Sequence, residues 1–131
     1  MKFLIVDDDE NICKILTFYL DLYGQCHACS RASEAILLFR NALETEPFDV
    51  VFMDIDMPEM TGHELVTILR GAEETQKVPF HKTFKLVMVS AYDDIKNVTA
   101  SFFRGHAECF VPKPVTESRI LEALRQADIL K

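Results

Sequence analysis

The side chains best suited to chemistry each follow a short apolar run of the sequence. They are an aspartate pair, a lone aspartate, a serine and a lysine: Asp7, Asp8, Asp54, Ser90 and Lys113. If the apolar runs are neighbouring parallel strands, these side chains meet at one edge of one sheet. Three carboxylates, a hydroxyl and an ammonium at one point can hold a divalent cation and neutralise the oxygens of a phosphoryl group.

The three carboxylates predict a bound cation. Two unit charges roughly 4 Å apart interact by about 4 kcal/mol at an effective dielectric constant near 20, so carboxylates this close raise one another's pKa unless a cation neutralises them. Mg²⁺ fits best because it takes one or two carboxylates and keeps positions for water and phosphate oxygens, and Mn²⁺ is the alternative. A calcium loop does not fit, since the acidic run 7–10 lacks the central glycine of such loops.

Asp54 is the candidate phosphoryl acceptor, because it stands alone at the end of the central apolar run. A carboxylate can act as a nucleophile and form an acyl phosphate. Lys113 and the cation would neutralise the phosphoryl charge, and the Ser90 hydroxyl would donate a hydrogen bond to one oxygen. Acidic residues after strands also serve as helix caps, which is sufficient to explain Asp9 but not the whole set.

The composition indicates one acidic, globular domain. The 131 residues carry a formal net charge of −7, and 49% of them are hydrophobic. This length suits a single domain, expected to span residues 1–131. The acidic balance argues against binding to nucleic acid or to an anionic membrane, and no apolar run approaches the roughly 18 residues of a membrane helix. We therefore expect a cytoplasmic protein that contacts neither.

Short apolar runs alternate with amphipathic stretches from end to end. The runs are 3–6, a weaker one near 26–29, 50–53, 86–89 and 109–111. Four are continuously apolar, as parallel strands covered on both faces are. The stretches between them carry helical spacing, in stripes that begin at Ile12, Ala32, Leu65, Ile95 and Ile120. Five strand–helix units predict an α/β fold, a doubly wound parallel sheet with helices on both faces.

The four cysteines do not indicate a metal or redox site. They are too few and too scattered for a disulfide framework: Cys13, Cys26, Cys29 and Cys109. A zinc site at Cys26 and Cys29 would need a second ligand pair, which the sequence does not supply at a suitable spacing. On a strand, residues three apart point to opposite faces, so these two thiols would not meet. We interpret all four as buried small side chains.

Taken in order, these residues resemble the receiver domains of two-component response regulators, of which the chemotaxis receiver is an example. The resemblance covers nearly the whole chain, from about residue 2 to residue 130. Four motifs carry it: Asp7-Asp8, the stretch from Asp54 through Met57-Pro58 to Gly62, Ser90-Ala91, and Lys113-Pro114. The resemblance implies a flavodoxin-like fold with five parallel strands in the order 2-1-3-4-5.

The resemblance also implies what the site residues do. Asp54 would accept a phosphoryl group from a histidine kinase or a histidine phosphotransfer protein. Mg²⁺ would be bound by Asp8, Asp54 and the backbone carbonyl of Asp56, with Asp7 acting through water. Lys113 would pair with Asp54 or with the phosphoryl group. The domain would promote its own phosphorylation and dephosphorylation without being an enzyme in the usual sense.

A switch between two packings is implied as well. Ser90 would move toward the phosphoryl group, and Phe110 would rotate into the space left behind. The face formed by the fourth helix, fifth strand and fifth helix would change shape and bind a downstream protein, an output domain or a second copy of the chain. The Lys113–Pro114 peptide bond is expected to be cis, and Tyr92 is expected to influence how long the phosphoryl group persists.

Three features depart from the common family pattern. Ser90 replaces a frequent threonine, and Phe110 replaces a frequent tyrosine, which removes a phenol hydrogen bond from the switch. The spacing between Asp54 and Ser90 is several residues longer than usual. The excess falls in the segment 71–84, which we expect to be a long loop, either a mobile insertion or a contact for a specific partner.

Two other functions stay open from the sequence. A phosphatase of the haloacid-dehalogenase type would have its nucleophile motif at 54–56, but its metal-binding acids follow the lysine, whereas Asp7 and Asp8 precede it. A receiver-like module that never takes phosphate would not need the complete set of acids, hydroxyl and lysine. The sequence identifies neither the kinase nor the target, nor whether the domain acts alone or within a longer regulator.

Overall fold

The computed structural model describes residues 1–55, 57–91 and 107–130. Five strands form one sheet: β1 (Lys2–Val6), β2 (Gln25–Cys29), β3 (Val50–Asp54), β4 (Lys85–Ala91) and β5 (Cys109–Lys113). Their order is β2-β1-β3-β4-β5, and every neighbouring pair is parallel. The predicted α/β class and the strand order are confirmed.

Helices cover both faces of this sheet. The described residues contain α1 (Glu10–Leu20), α2 (Ala32–Leu43), α3 (Gly62–Thr75) and a C-terminal helix (Glu117–Gln126). α1 and the C-terminal helix pack on one face, and α2 and α3 pack on the other. The predicted helix with apolar residues at Ile95, Val98 and Phe102 lies outside the described residues. None of the described helices combines the length and the apolar character that a membrane crossing needs.

Burial on both faces explains why the central strands are continuously apolar. All five residues of β1 and all five of β3 are buried. Successive residues enter different cores: Leu4 faces α2 and α3, whereas Phe3 and Ile5 face α1 and the C-terminal helix. The strands are thereby fixed in position, and so are the polar residues at their carboxyl ends.

Polar side chains define where three helices begin. Asp9 accepts a hydrogen bond from the first turn of α1. Thr61 and Glu64 form a reciprocal capping box at the start of α3. Thr116 accepts a hydrogen bond from the Arg119 N–H at the C-terminal helix. The cap predicted at Asp9 is confirmed, and each such cap typically contributes about 1 kcal/mol.

The segment 71–84 is not a single long loop, and that part of the prediction is wrong. α3 continues through Thr75, and a 3₁₀ turn spans Phe80–Lys82. The helix extends past Gly71 because the next residues keep an inward face, with Ala72 packed against the core and Glu73 buried at 3% exposure. A pattern of apolar residues does not include a buried glutamate, so it does not predict that the helix continues through Glu73.

All four cysteines are free thiols. Cys26 borders the core beneath α1, whereas Cys29 belongs to the core beneath α2 and α3, so the two thiols point to opposite faces of β2. The expectation that they do not meet is confirmed. Burial raises the pKa of Cys26 to about 11 and the pKa of Cys29 to about 12.

Candidate functional site

Two central strands place the buried carboxylates of the site. Asp54 is the last residue of β3, and Asp7 directly follows β1, which pairs with β3 through Val6 and Met53. Asp7 is 1% exposed and Asp54 is 6% exposed, and Asp8 is exposed beside them. One carboxylate oxygen from each of these three aspartates lies within 4.8 Å of the others. The structure therefore brings the three predicted acids together at the carboxyl edge of the sheet.

Lys113 brings a positive charge to the two buried carboxylates. It is the last residue of β5, so it lies at the same edge of the sheet. Its ammonium lies 3.4 Å from Oδ2 of Asp7 and 3.6 Å from Oδ1 of Asp54. The Lys113–Pro114 bond that follows is cis, as expected.

Ser90 lies on β4, the strand next to Asp54. Val89 is the register partner of Asp54, and Ser90 follows Val89 directly. The serine is 1% exposed, so its hydroxyl is enclosed by the protein. Ser90 thus sits one residue beyond the level of Asp54, toward the edge that carries the carboxylates.

Burial and charge act in opposite directions on this cluster. Burial raises the pKa of Asp7 above its ordinary 3.8, the Asp9 N–H and the Lys113 ammonium counter that rise only in part, and the charge of Asp8 adds to it weakly. Burial alone lowers the pKa of Lys113, but the Asp54 and Asp7 carboxylates outweigh it and the net pKa lies above 10.5. Lys113 is therefore protonated at neutral pH. For Asp7, burial contributes more than the repulsion that the sequence suggested.

Two neighbouring groups fix the position of Asp7. The Asp9 N–H donates to Oδ1 of Asp7 at 2.9 Å, which leaves Oδ2 on the side of Lys113. The Cys13 thiol donates to the Asp7 carbonyl oxygen at 3.3 Å. From the sequence Cys13 is expected only to be buried, and this contact was missed. One feature of the sequence does indicate this contact: Cys13 follows Asp7 by six residues and lies on the inward side of α1.

Gly62 allows the start of α3 to approach the backbone of Asp54. The Gly62 N–H donates to the Ile55 carbonyl oxygen at 2.8 Å. A Cβ at this position would lie 2.8 Å from the Asp54 carbonyl oxygen and 3.2 Å from Cα of Ile55. Any side chain here would push the end of β3, so the close approach requires glycine.

The loop after Asp54 is also tied to α2. The Glu59 carboxylate lies 3.5 Å from Nε of Arg31 and accepts a hydrogen bond from the Ser33 hydroxyl at 3.3 Å. Arg31 is the N-cap residue of α2, and its side chain makes no capping bond. Glu59 therefore supplies negative charge to the positive end of a neighbouring helix. Asp56 lies outside the described residues, so its part in metal binding stays a prediction.

The donor set fits a hard divalent cation. Mg²⁺ prefers oxygen ligands, and three carboxylate oxygens converge here. Oδ2 of Asp7 is buried and accepts no hydrogen bond from the described residues, although the Lys113 ammonium lies 3.4 Å away as an ion-pair partner. A buried carboxylate oxygen without a hydrogen-bond donor is costly unless positive charge lies beside it. Asp7, Asp8 and Asp54 are the residues that would hold Mg²⁺.

Phe110 lies on β5, away from the carboxylates. It is partly buried against the core beneath α2 and α3. It also lines a cleft of about 450 Å³ together with Pro112 and Arg119, beside the C-terminal helix. The helix expected to move with Phe110 lies outside the described residues, and the switching role stays a prediction.

A doubly wound sheet in this order, with three carboxylates and a lysine at its carboxyl edge, defines a receiver-type α/β domain. The family model described as the response regulator receiver domain matches residues 3–125. The chain therefore belongs to the response regulator receiver family.

Individual relatives agree with this assignment. An uncharacterized response regulatory protein of Vibrio parahaemolyticus is 32% identical over 123 residues, which are 94% of this chain and 46% of that protein. The chain spans about half the length of the curated relatives it matches. The chemotaxis response regulator CheY4 of Vibrio cholerae has a TM-score of 0.74 at 24% identity, over 96% of this chain and 97% of that one. A CheY-like receiver domain protein of Methanospirillum hungatei has a TM-score of 0.71 at 26% identity, over 98% and 94% of the two chains.

Proposed function

We propose that the chain relays a signal by accepting a phosphoryl group on Asp54. The donor is the phosphohistidine of a histidine kinase or of a histidine phosphotransfer protein, and the reaction depends on Mg²⁺. One observation carries the proposal. The buried Asp54 lies 3.6 Å from the Lys113 ammonium, and one of its oxygens lies within 4.8 Å of oxygens of Asp7 and Asp8.

In the proposed step, a carboxylate oxygen of Asp54 attacks the phosphorus atom of the donor. The bond between phosphorus and the imidazole nitrogen breaks, its electron pair stays on that nitrogen, and an acyl phosphate forms on Asp54. The Lys113 ammonium offsets negative charge on the phosphoryl oxygens, and the Ser90 hydroxyl donates a hydrogen bond to one of them. Mg²⁺ held by the three aspartates would supply further charge neutralisation.

Loss of the phosphoryl group uses the same residues. Water attacks the phosphorus atom, the bond to the Asp54 oxygen breaks, and the free carboxylate and inorganic phosphate are released. The domain thereby promotes both its own phosphorylation and its own dephosphorylation. It does not turn over a separate substrate.

Phosphorylation is proposed to change the face formed by the predicted fourth helix, β5 and the C-terminal helix. Ser90 moves toward the phosphoryl group, and Phe110 turns inward behind it. One new covalent charge thereby shifts the population between two packings. The changed face binds a downstream protein, an output domain or a second copy of the chain.

Stoichiometric labelling tests the proposal. The chain is incubated with acetyl phosphate and Mg²⁺, and its intact mass is measured. We expect the mass of a single added phosphoryl group, lost in Asp54→Asn and in the presence of EDTA. Asp21→Asn is the matched control, because it makes the same change at an exposed aspartate beyond the end of α1. A wild-type chain that takes no label, or an Asp54→Asn variant that labels equally, contradicts the proposal.

The same conditions separate the alternative functions. A phosphatase of the haloacid-dehalogenase type would hydrolyse many equivalents of a phosphomonoester, whereas the proposed receiver retains at most a single group. A module that never takes phosphate would show no change in its NMR spectrum when beryllium fluoride and Mg²⁺ are added.

A further inference from the structure

The turn between α3 and β4 presents an aromatic side chain to solvent. Phe80 is 92% exposed, the largest value for a large hydrophobic side chain among the described residues. Single exposed apolar residues are common, but the backbone of this one is held in place. The Lys82 N–H donates to the Pro79 carbonyl at 2.8 Å, and the Thr83 hydroxyl donates to the Phe80 carbonyl at 2.7 Å.

Side chains of α3 anchor the end of this turn. The Glu73 carboxylate accepts the Phe84 N–H at 2.8 Å, and the Arg70 guanidinium donates to the Phe84 carbonyl at 2.7 Å. The guanidinium also lies 3.7 Å from the centre of the Phe84 ring. Both backbone polar groups of Phe84 are therefore bound by α3. Because its backbone is already held, such a turn loses little backbone entropy when its aromatic side chain contacts a partner.

The turn forms a ridge between two clefts. Phe80 and Glu108 border one cleft, of about 510 Å³. Lys82 and Asp128 border the other, of about 500 Å³, and Thr83 borders both. The clefts lie at the amino ends of the strands, at the opposite edge of the sheet from the carboxylate cluster.

The turn is a basic part of an acidic chain. Residues 76–85 contain three lysines and no acidic residue, whereas the whole chain has a net charge of −7. Lys77 and Lys82 are exposed, on either side of Phe80 in sequence. The exposed aromatic residue is thus flanked in sequence by two exposed positive charges.

We propose that this ridge, residues 77–83, is a docking surface for an acidic segment of another protein. A large apolar side chain of that segment packs on Phe80, and its carboxylates lie opposite Lys77 and Lys82. Its uncharged side chains occupy the two clefts. The ridge contains no residue of the carboxylate cluster, so docking goes beyond the proposed phosphoryl transfer and does not depend on it.

The acidic rims of the clefts favour a protein segment over a flat anionic surface. Glu74 and Glu108 border one cleft, and Glu46, Asp49 and Asp128 border the other. A membrane or a nucleic acid lying across the ridge would face these carboxylates and be repelled. An extended segment can place its carboxylates opposite the lysines and its uncharged side chains beside the acidic residues of the clefts. It therefore escapes this repulsion.

Selection from a library of random peptides displayed on phage, against the full chain, tests the proposal. We expect the enriched peptides to carry Asp or Glu on both sides of Leu, Phe or Trp. A synthetic peptide of the enriched sequence, followed by fluorescence anisotropy, should bind Phe80→Ala and Lys82→Glu about tenfold or more weakly than wild type. Added salt should weaken its binding to the wild-type chain.

Two matched variants serve as controls. Leu22→Ala removes a side chain that is 82% exposed after α1, and Lys14→Glu reverses an exposed lysine on α1. Both should keep wild-type affinity, and all four variants should melt near the wild-type temperature. No enrichment, enriched peptides without acidic residues, or binding that Phe80→Ala leaves unchanged would overturn the proposal. Sedimentation with phosphatidylcholine–phosphatidylglycerol vesicles that is lost in Phe80→Ala would also overturn it, because the ridge would then be a lipid-binding surface.

Discussion

The ammonium of Lys113 lies 3.6 Å from Oδ1 of Asp54, although β4 separates their strands. The lysine reaches across the end of β4 to a carboxylate that is 6% exposed. The same ammonium lies 3.4 Å from Oδ2 of Asp7. Among the described residues, one partly exposed ammonium therefore lies beside two buried carboxyl groups.

Replacing Lys113 with methionine should destabilise the fold. Methionine keeps an unbranched apolar side chain but removes the positive charge that lies beside the buried carboxyl groups of Asp7 and Asp54. The lysine side chain is 27% exposed, and solvent screens part of the interaction. We therefore expect the free energy of unfolding to fall by about 1–2 kcal/mol, measured by urea denaturation without Mg²⁺.

A double-mutant cycle separates charge from packing in this experiment. Asp54→Asn removes one of the two anions, so Lys113→Met should cost less in that background than in the wild type. An equal cost in both backgrounds would mean that the lysine stabilises the chain through its apolar stem alone.

Magnesium should stabilise the folded chain. A ligand that binds only the folded state raises the free energy of unfolding by about 2.7 kcal/mol at roughly 100 times its Kd. Calorimetry should show a melting temperature that rises with Mg²⁺ in the wild type and rises much less in Asp8→Asn, in which a neutral amide replaces the carboxylate. Glu10→Gln alters a nearby exposed acid and should keep the full response. An undiminished response in Asp8→Asn would exclude Asp8 as a ligand.

Two glycines of α3 should respond to alanine in opposite ways. At Gly62 the new Cβ would lie 2.8 Å from the Asp54 carbonyl oxygen, so we expect a loss of about 1–3 kcal/mol and slower phosphorylation. At Gly71 no described atom lies within 4 Å of the new Cβ, and alanine should stabilise the helix by about 0.5–1 kcal/mol. Thermal melts of the two variants measure this difference in stability. Comparable destabilisation by both would show that steric contact with Asp54 is not the cause.

Glu73 and Glu74 are adjacent but should differ in their effect on stability. Glu73 is 3% exposed and accepts the Phe84 N–H, so Glu73→Ala leaves a buried donor and the Arg70 charge without that acceptor. We expect a loss of about 1–3 kcal/mol in the free energy of unfolding. Glu74 is exposed, and Glu74→Ala should change stability by less than about 0.5 kcal/mol. Equal losses in urea denaturation would refute the anchoring role of Glu73.

Alkaline pH should weaken the fold. Burial raises the pKa of Cys29 and of Cys109 from 9.0 to about 12. Above pH 9 the unfolded chain releases thiol protons that the folded chain retains. The unfolded state then binds fewer protons, so stability falls as the pH rises toward 12. The raised pKa of Lys113 acts in the same direction above pH 10.5.

Urea midpoints measured from about pH 8 to about pH 11 follow this loss. Cys109→Ala should flatten the decline, even though it also lowers stability at neutral pH. Ser118→Ala, a change at an exposed residue of the C-terminal helix, should leave the slope unchanged. An identical slope in Cys109→Ala would mean that the thiols do not cause the decline.

The fold class and the gathering of the site residues could be predicted because both depend on local pattern. A strand that is buried on both faces is continuously apolar, and a polar residue directly after it lies at a known edge of the sheet. Asp7, Asp54 and Lys113 were located in this way. The order of the strands came from the family resemblance, since no residue pattern in a single strand states which strands become its neighbours.

The contacts that support the site could not be predicted in this way. The hydrogen bond from Cys13 to Asp7 depends on how α1 lies against β1, and cysteine also occurs in cores with no such role. The length of α3 was underestimated because Glu73 occupies an inward position that the pattern assigns to solvent. Cys13 and Glu73 are stabilised at these positions by partners on other elements, and the spacing of residues in the sequence does not identify such partners.

The seven-residue strand β4 runs from Lys85 to Ala91, a length of about 20 Å. Ser90 lies near one end of it, and the turn that carries Phe80 leads into the other. The buried strand acts as a fixed spacer, so mutations can accumulate in the turn without disturbing the reactive edge. After gene duplication, sister copies can diverge at one end of the strand and keep the other unchanged. A graft of residues 76–84 onto a related domain must bring Arg70 and Glu73 with it, because both side chains bind the backbone of Phe84.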